Sequence, residues 1–186
     1  MLRAPATRRR CTTYSTGATP RSKRSEALAL RLEQGAVELA ELANALTDEQ
    51  WDLRVKDGRK VRTIVHHVAS MYPIEMSLAL LLAAGKPVVG VTWDDVHAIN
   101  ATHAAEFENV SKADAIALLR LNSATAAAQI RALTDFELDN AAPLSLNANA
   151  PLTCQFMLED HPVRHSYWHL AAIRAVVGLV LVPKAA

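Results

Sequence analysis

Five of the seven histidines fall in two short clusters, His66 and His67, then His161, His165 and His169. Spaced i, i+4, His165 and His169 put two imidazoles on one face of a helix, about one turn apart. Two ring nitrogens so placed can converge on one ion, and a third ligand from a facing helix would complete a His₃ site. Their stripe continues through Ile173, so the face points to a core, where unpartnered nitrogens are costly. The plainer alternative is a satisfied pair of core histidines or a solvated face. His97 and His103 are six apart, share no face, and read as surface residues. His161 is in step with His165, but Pro162 follows it and places it at a bend, behind the ligands or in solvent.

Four long helices must carry these groups. Leu28, Leu32, Ala36, Leu39, Ala43 and Leu46 recur at helical spacing over Glu26 to Leu46. Thr47 and Asp48 break the pattern; Trp51 and Leu53 then form a short turn packed beneath the first helix, and Asp57-Gly58 is a turn signal. A second helix is expected from Lys60 to Ala84, kinked near Tyr72 by Pro73 and stopped by Gly85-Lys86-Pro87. Thr92 with Asp95 reads as a capping box opening a short helix to Glu106. Ser111 with Asp114 repeats the signal and opens a third long helix to Leu133, with the stripe Ile116, Leu119, Ala126, Ile130, Leu133. Asp135 to Pro151 has no periodicity and reads as a long loop of the kind that borders functional sites. Thr153 caps a fourth helix to Leu181, bent or delayed by Pro162. The fold class is all-α, a four-helix bundle.

Adjacent residues on a helix are turned about 100° apart, so His66 and His67 cannot both face the core. His67 has Thr63, Ile64, Ser70 and Met71 as its neighbours three and four positions away, and its stripe continues to Ile74 and Leu78. The stripe through His66 carries Arg59, Arg62, Ala69, Ser70, Pro73 and Ser77, mostly a wet face. The apolar ladder selects His67.

Composition narrows the class. At 186 residues, 51% of them hydrophobic, the chain suits one domain with a sizeable core. It is rich in alanine and has only six glycines, and its 5% aromatic content argues against a β-sandwich or a base-stacking surface. The apolar runs Leu78–Ala84 and Ala175–Pro183 are far shorter than the ~18 residues of a membrane span. Cys11 and Cys154, far apart, make neither a disulfide framework nor a cysteine zinc site and indicate a reducing compartment. Seven bases and no acid lie within residues 1–25; the remainder carries 13 bases against 19 acids. Residues 1–25 are therefore expected to be a basic disordered tail ahead of a domain over 26–183. The tail reads as a flexible start, as an Arg-rich organelle transit peptide, or, third, as a nucleic-acid contact, which is not expected of the acidic remainder. The localisation expected is cytoplasmic, or the organelle matrix if the tail is a transit peptide.

The segment Val61-Arg62-Thr63-Ile64-Val65-His66-His67-Val68-Ala69-Ser70 resembles the second-helix signature of the DinB-like superfamily, in particular its YfiT-type branch of metal-dependent hydrolases. The segment His165-Ser166-Tyr167-Trp168-His169-Leu170-Ala171-Ala172-Ile173 resembles the fourth-helix pattern His-x₃-His-x₃-Ile. Leu46 to Trp51 and Asp94 to Asn100 also fit, and the resemblance covers Glu26 to Leu181. It implies three metal ligands, His67, His165 and His169, and a divalent metal, zinc or nickel, at one end of the core. It also implies a homodimer in many members. The chain departs from the family at Arg59 and Lys60, where a tryptophan and a Ser/Thr cap are usual; this bears on the pocket rim and substrate, not on the ligands.

The expected function is that of a metal-dependent hydrolase or thiol-S-transferase, acting on a small molecule or low-molecular-weight thiol through water or thiolate on a His₃-bound metal. Glu159, Asp160 and Tyr72 are candidate bases that the helix geometry does not single out, so the catalytic residues stay unassigned. The alternative is a non-catalytic, metal-stabilised helical bundle or interaction module, which a fourth protein ligand or the lack of a pocket would favour.

Overall fold

The structure is a computed structural model and describes residues 22–178. Helix α1 (Lys23–Ala45) is capped by Ser22, whose hydroxyl accepts the Ser25 N–H at 3.1 Å. Ser22 to Ser25, assigned to the tail on sequence grounds, thus belong to the fold. Ser22 Oγ also donates to Asp135, and Arg24 pairs with Asp139 at 2.6 Å. Residues 1–21, the rest of the expected tail, lie outside the described residues. The last helix, expected to reach Leu181, ends at Val176, and Gly178 just beyond it takes a φ of 75°.

A short α2 (Asp48–Trp51), closed by a Thr47–Gln50 capping box, buries Trp51. Leu53, expected to pack beside it, is 37% exposed. The turn at Gly58, with φ of 87°, leads into α3 (Val61–Ala83). Then come α4 (Trp93–Glu106), with its Thr92–Asp95 capping box, and α5 (Lys112–Arg131). The stripes read from the sequence are buried: Leu28, Leu32 and Leu39 on α1, Ile116, Leu119 and Ile130 on α5.

The segment expected to be a loop is structured. It holds α6 (Asp135–Asp139) and a two-stranded antiparallel hairpin, β1 (Ala141–Leu144) with β2 (Ala150–Thr153), paired Ala141 to Thr153. A 3₁₀ turn and two residues in the left-handed region, Ala148 and Asn149, close it. Four-residue strands containing Pro143 and Pro151 give no periodic signal, and the hairpin is held from outside: the Val88 N–H donates to the Pro143 carbonyl at 2.9 Å.

The fourth long helix comes in three parts: α7 (Cys154–Leu158), a π-helical turn over Glu159–Val163, and α8 (Arg164–Val176). Pro162 has no N–H to donate, and the backbone widens there rather than breaking. The bundle is α1, α3, α5 and α7–α8. Helix α5 packs on both α1 and α3, and so does α8. In a simple up-and-down ring α3 and α8 would be diagonal; here they are neighbours, which brings the two histidine clusters face to face. By length and composition α3 also passes for a membrane span, but it is the core helix of this bundle, with Ile64, Val65, Val68, Tyr72 and Met76 buried.

Pro73 sits inside α3, which continues through it. Its missing N–H frees the Ala69 carbonyl, and Asn122 on α5 donates its side-chain amide there at 2.9 Å. Asn122→Ala should therefore destabilise the bundle by about 1–2 kcal/mol in denaturant titration. Adding Pro73→Ala, which restores an N–H to that carbonyl, should return part of the loss; strictly additive effects would contradict the assignment.

Candidate metal centre

His67 projects from α3, His165 and His169 from α8. Their ligating nitrogens all lie within 4.8 Å of one another. His67 Nε2 and His165 Nε2 are 3.3 Å apart. Two ligands about 2.0–2.1 Å from a tetrahedral ion stand about 3.3–3.4 Å apart, so this spacing suits a shared ion. The rings pack edge to face, with centroids 5.0 Å apart for His67–His165 and 5.4 Å for His67–His169. Burial holds His67 far below the ordinary histidine range, with the His165 charge adding to it, and His169 is pushed down to about 3, also chiefly by burial. Both rings are neutral near pH 7 with free lone pairs. His67 Nδ1 is buried with no partner. Three imidazole nitrogens converging at this spacing, with His67 Nδ1 left unpartnered, make a donor set that fits a divalent ion.

Glu75, which the sequence reading passed over, stands behind His165. It is 9% exposed, and Oε1 approaches His165 Nδ1 to 2.8 Å, at an angle too oblique for a formed hydrogen bond. A carboxylate on the far ring nitrogen is the usual support for a metal-ligating imidazole. Its signal was present: residues 67, 71 and 75 form one i, i+4 stripe, and an acid on an apolar stripe needs a reason. His161, thrown off the His165 stripe by the π turn, points Nδ1 at the same Glu75 oxygen from 4.0 Å and lies 3.7 Å from Asp160.

Two histidine readings are overturned. His66 and His103 are both 7% exposed, neither wet nor on the surface. His66 Nδ1 and His103 Nε2 are 2.9 Å apart, Ser70 Oγ is 3.1 Å from that same Nε2, and Phe107 stacks on His66 at 3.9 Å. The simplest proton assignment has His103 Nε2–H donating to His66. Helix α4 covers this side of α3, a contact that periodicity along α3 alone cannot reveal. His97 is exposed, as expected. Tyr72, a candidate base, is buried against Ser166 with its hydroxyl pKa raised by burial, so it is a core residue. Glu159 bonds Gln155 at 3.2 Å, away from the histidines.

The three ligand candidates form one end of a cavity of about 470 Å³, whose wall includes Glu75, Asp160, His161, Arg59 and Trp93. Arg59 donates to Asp57 through Nε at 3.0 Å and Nη2 at 2.7 Å. Trp93 is fixed by its indole N–H on the Leu146 carbonyl at 3.0 Å, so the hairpin steadies the rim.

No protein-family model matches the sequence, and no curated protein matches it. Solved structures do match. YfiT from Bacillus subtilis, described as a probable metal-dependent hydrolase with an unusual four-helix bundle topology, superposes with a TM-score of 0.69 at 21% identity, over 89% of this chain and 92% of that one. The fold is the YfiT-type bundle. A mycothiol-dependent maleylpyruvate isomerase shares it with a TM-score of 0.62 at 10% identity, over 80% of this chain and 60% of the isomerase. The DinB-like, YfiT-type resemblance read from the two histidine segments thus holds at the level of fold.

Metal per chain after gel filtration tests the centre. His67→Ala, His165→Ala and His169→Ala should each abolish stoichiometric zinc or nickel. His66→Ala should keep the metal but cost about 1–3 kcal/mol of stability, because His103 loses its acceptor. Glu75→Gln should weaken metal affinity about 10–100-fold at unchanged stoichiometry.

Acid should unfold the metal-free bundle by a stated route. His67, His169 (about 3) and His103 (about 4) have folded pKa values depressed by burial from 6.5. The unfolded chain therefore takes up protons that the folded chain refuses, and stability rises with pH in that range. This stability is fully present above pH 6.5 and is lost as pH falls from 6.5 toward 4. Chelator-treated protein should show a falling thermal midpoint over that window; a flat profile would contradict neutral burial.

Proposed function

We propose that the chain is a metal-dependent enzyme acting on a small molecule, a hydrolase or a thiol-S-transferase, with His67, His165 and His169 holding a divalent ion, zinc or nickel. The observation that carries the reading is that three converging imidazoles and no fourth protein ligand, among the described residues, form the end of an open cavity. A structural zinc site is closed by four ligands, whereas a catalytic one keeps a position for substrate. When bound, the ion supplies Lewis acidity and lowers the pKa of water or a thiol at the open position.

The chain's own residues do the rest. Burial keeps His67 and His169 neutral and available. Glu75 stands behind His165, its carboxylate oxygen 2.8 Å from Nδ1 and placed to orient that ring. Asp160 and His161, 3.7 Å apart on the cavity wall, are placed to hold a proton at His161 Nε2. Cys154 is buried, and burial pushes its thiol up to about 11, so it is no nucleophile. Thiol chemistry at this site would use a low-molecular-weight thiol from solution. The two similar structures support both classes, since one is described as a hydrolase and the other as thiol-dependent.

Cobalt-substituted protein tests the open position. A small thiol or hydroxamate should change the visible spectrum of the wild type, and zinc- or nickel-loaded protein should turn over an ester, amide or thiol-transfer panel that chelated protein does not. A spectrum indifferent to added ligands would establish the closed, non-catalytic alternative.

A further inference from the structure

One end of the cavity is polar and the rest is not. Away from the histidines its walls are Met71, Ile74 and Leu78 on α3, facing Trp93, Val96 and Ile99 on α4, with Trp168 of α8 at the mouth. Several are large apolar groups left in water: Ile74 is 43% exposed, Ile99 47%, Trp93 52% and Trp168 66%. Four such side chains converge on a cleft that leads to a ligand cluster. Exposing them is unfavourable unless something covers them in use.

The two arginines of this cavity each have an acidic partner. Arg59 is paired with Asp57 through two nitrogens, and Arg164 pairs with Asp160 at 3.2 Å while lying over the Trp168 ring at 5.8 Å. Each guanidinium already has a carboxylate beside it, which lowers its pull on a second anion. Asn100 is the remaining uncharged polar side chain of the lining. A sugar-like or polyanionic body would lose its hydration and find few partners here.

We propose that the site takes an amphipathic small molecule. A single metal-seeking head group, a thiolate, carboxylate or activated carbonyl, would sit at His67, His165 and His169, and an apolar alkyl or aromatic body would lie between α3 and α4. This rests on the metal-site reading above and names the substrate class. Ile74, Trp93 and Ile99 are its specificity-determining residues. The volume of about 470 Å³ lies within the range of small-molecule sites and is too small for a protein segment with its own fold.

The test uses the full chain loaded with zinc and hydroxamates that share one head group: acetyl, butanoyl, hexanoyl and octanoyl, with a polyhydroxylated tail of hexanoyl length as the polar control. Binding is read by calorimetry and by tryptophan fluorescence, since Trp93 and Trp168 border the cavity. Each added methylene should tighten binding about threefold to fourfold until the cavity is full, and the polar tail should add nothing over the acetyl compound. Ile99→Asp, on an exposed position of α4, should flatten most of this dependence, and Ile74→Asn should do the same from the other wall. If the head group binds but affinity is independent of the tail, the substrate class is wrong and the metal reading stands. If the zinc protein binds no hydroxamate at all, the open-site reading itself fails. If gel filtration shows a dimer whose dissociation alone restores tail dependence, the apolar walls belong to a subunit interface, and the proposal is overturned.

Discussion

Everything distinctive in this bundle answers one constraint, three imidazoles brought to a common point inside a helical core. The rings lie 5.0–5.4 Å apart in a largely buried setting, and three imidazoles that converge there cannot all be satisfied by one another. One helix can supply two of them at i, i+4, but the third must come from a neighbouring helix. The chain meets that requirement by its topology, which places α3 beside α8 instead of across the bundle. The same topology puts α1 against α8, and there Gly35 is needed: a Cβ at that position would lie 3.0 Å from the Tyr167 ring and 3.1 Å from Ser166 Cβ. That close approach fixes the phase of α8 between its two histidines.

Two prolines sit in the helices that carry the ligands, and each is accommodated differently. At Pro73 the helix continues, and Asn122 satisfies the freed carbonyl from outside. At Pro162 the backbone opens into a π turn, and the change of register separates His161 from His165 and His169. Helical order on either side is kept, so the ligands stay rigid while the cavity wall gains Asp160 and His161. Wide turns of this kind recur at functional sites because they aim a side chain that a regular helix would bury elsewhere.

The supporting layer is as specific as the ligands. Glu75 lies behind His165, and the His66–His103–Phe107 stack lies behind His67, with the His103 ring 5.4 Å from His67. The stack also fastens α4, which carries one apolar wall of the cavity. Ligand orientation and pocket shape are therefore coupled through one short helix, steadied at its other end by the bond from Trp93 to the hairpin.

Local periodicity was enough to set out the helices and to place His67, His165 and His169 on inward stripes, because those properties depend only on residues within one turn of each other. The capping boxes at Thr92 and the cap at Thr153 were legible for the same reason. The start of α1 was misplaced by three residues because bases such as Arg24 look like tail until Asp139 and Gln155 are seen beside them. The hairpin, the burial of His66 and His103, and Glu75 behind His165 were decided by tertiary structure alone. Each depends on a partner between 37 and 90 positions away, or on a helix packing across another, and hydrophobic spacing along one element carries no information about which polar group will meet it there. Sequence determined which apolar stripes face inward; the packing of α3 beside α8 and under α4 decided which polar groups meet.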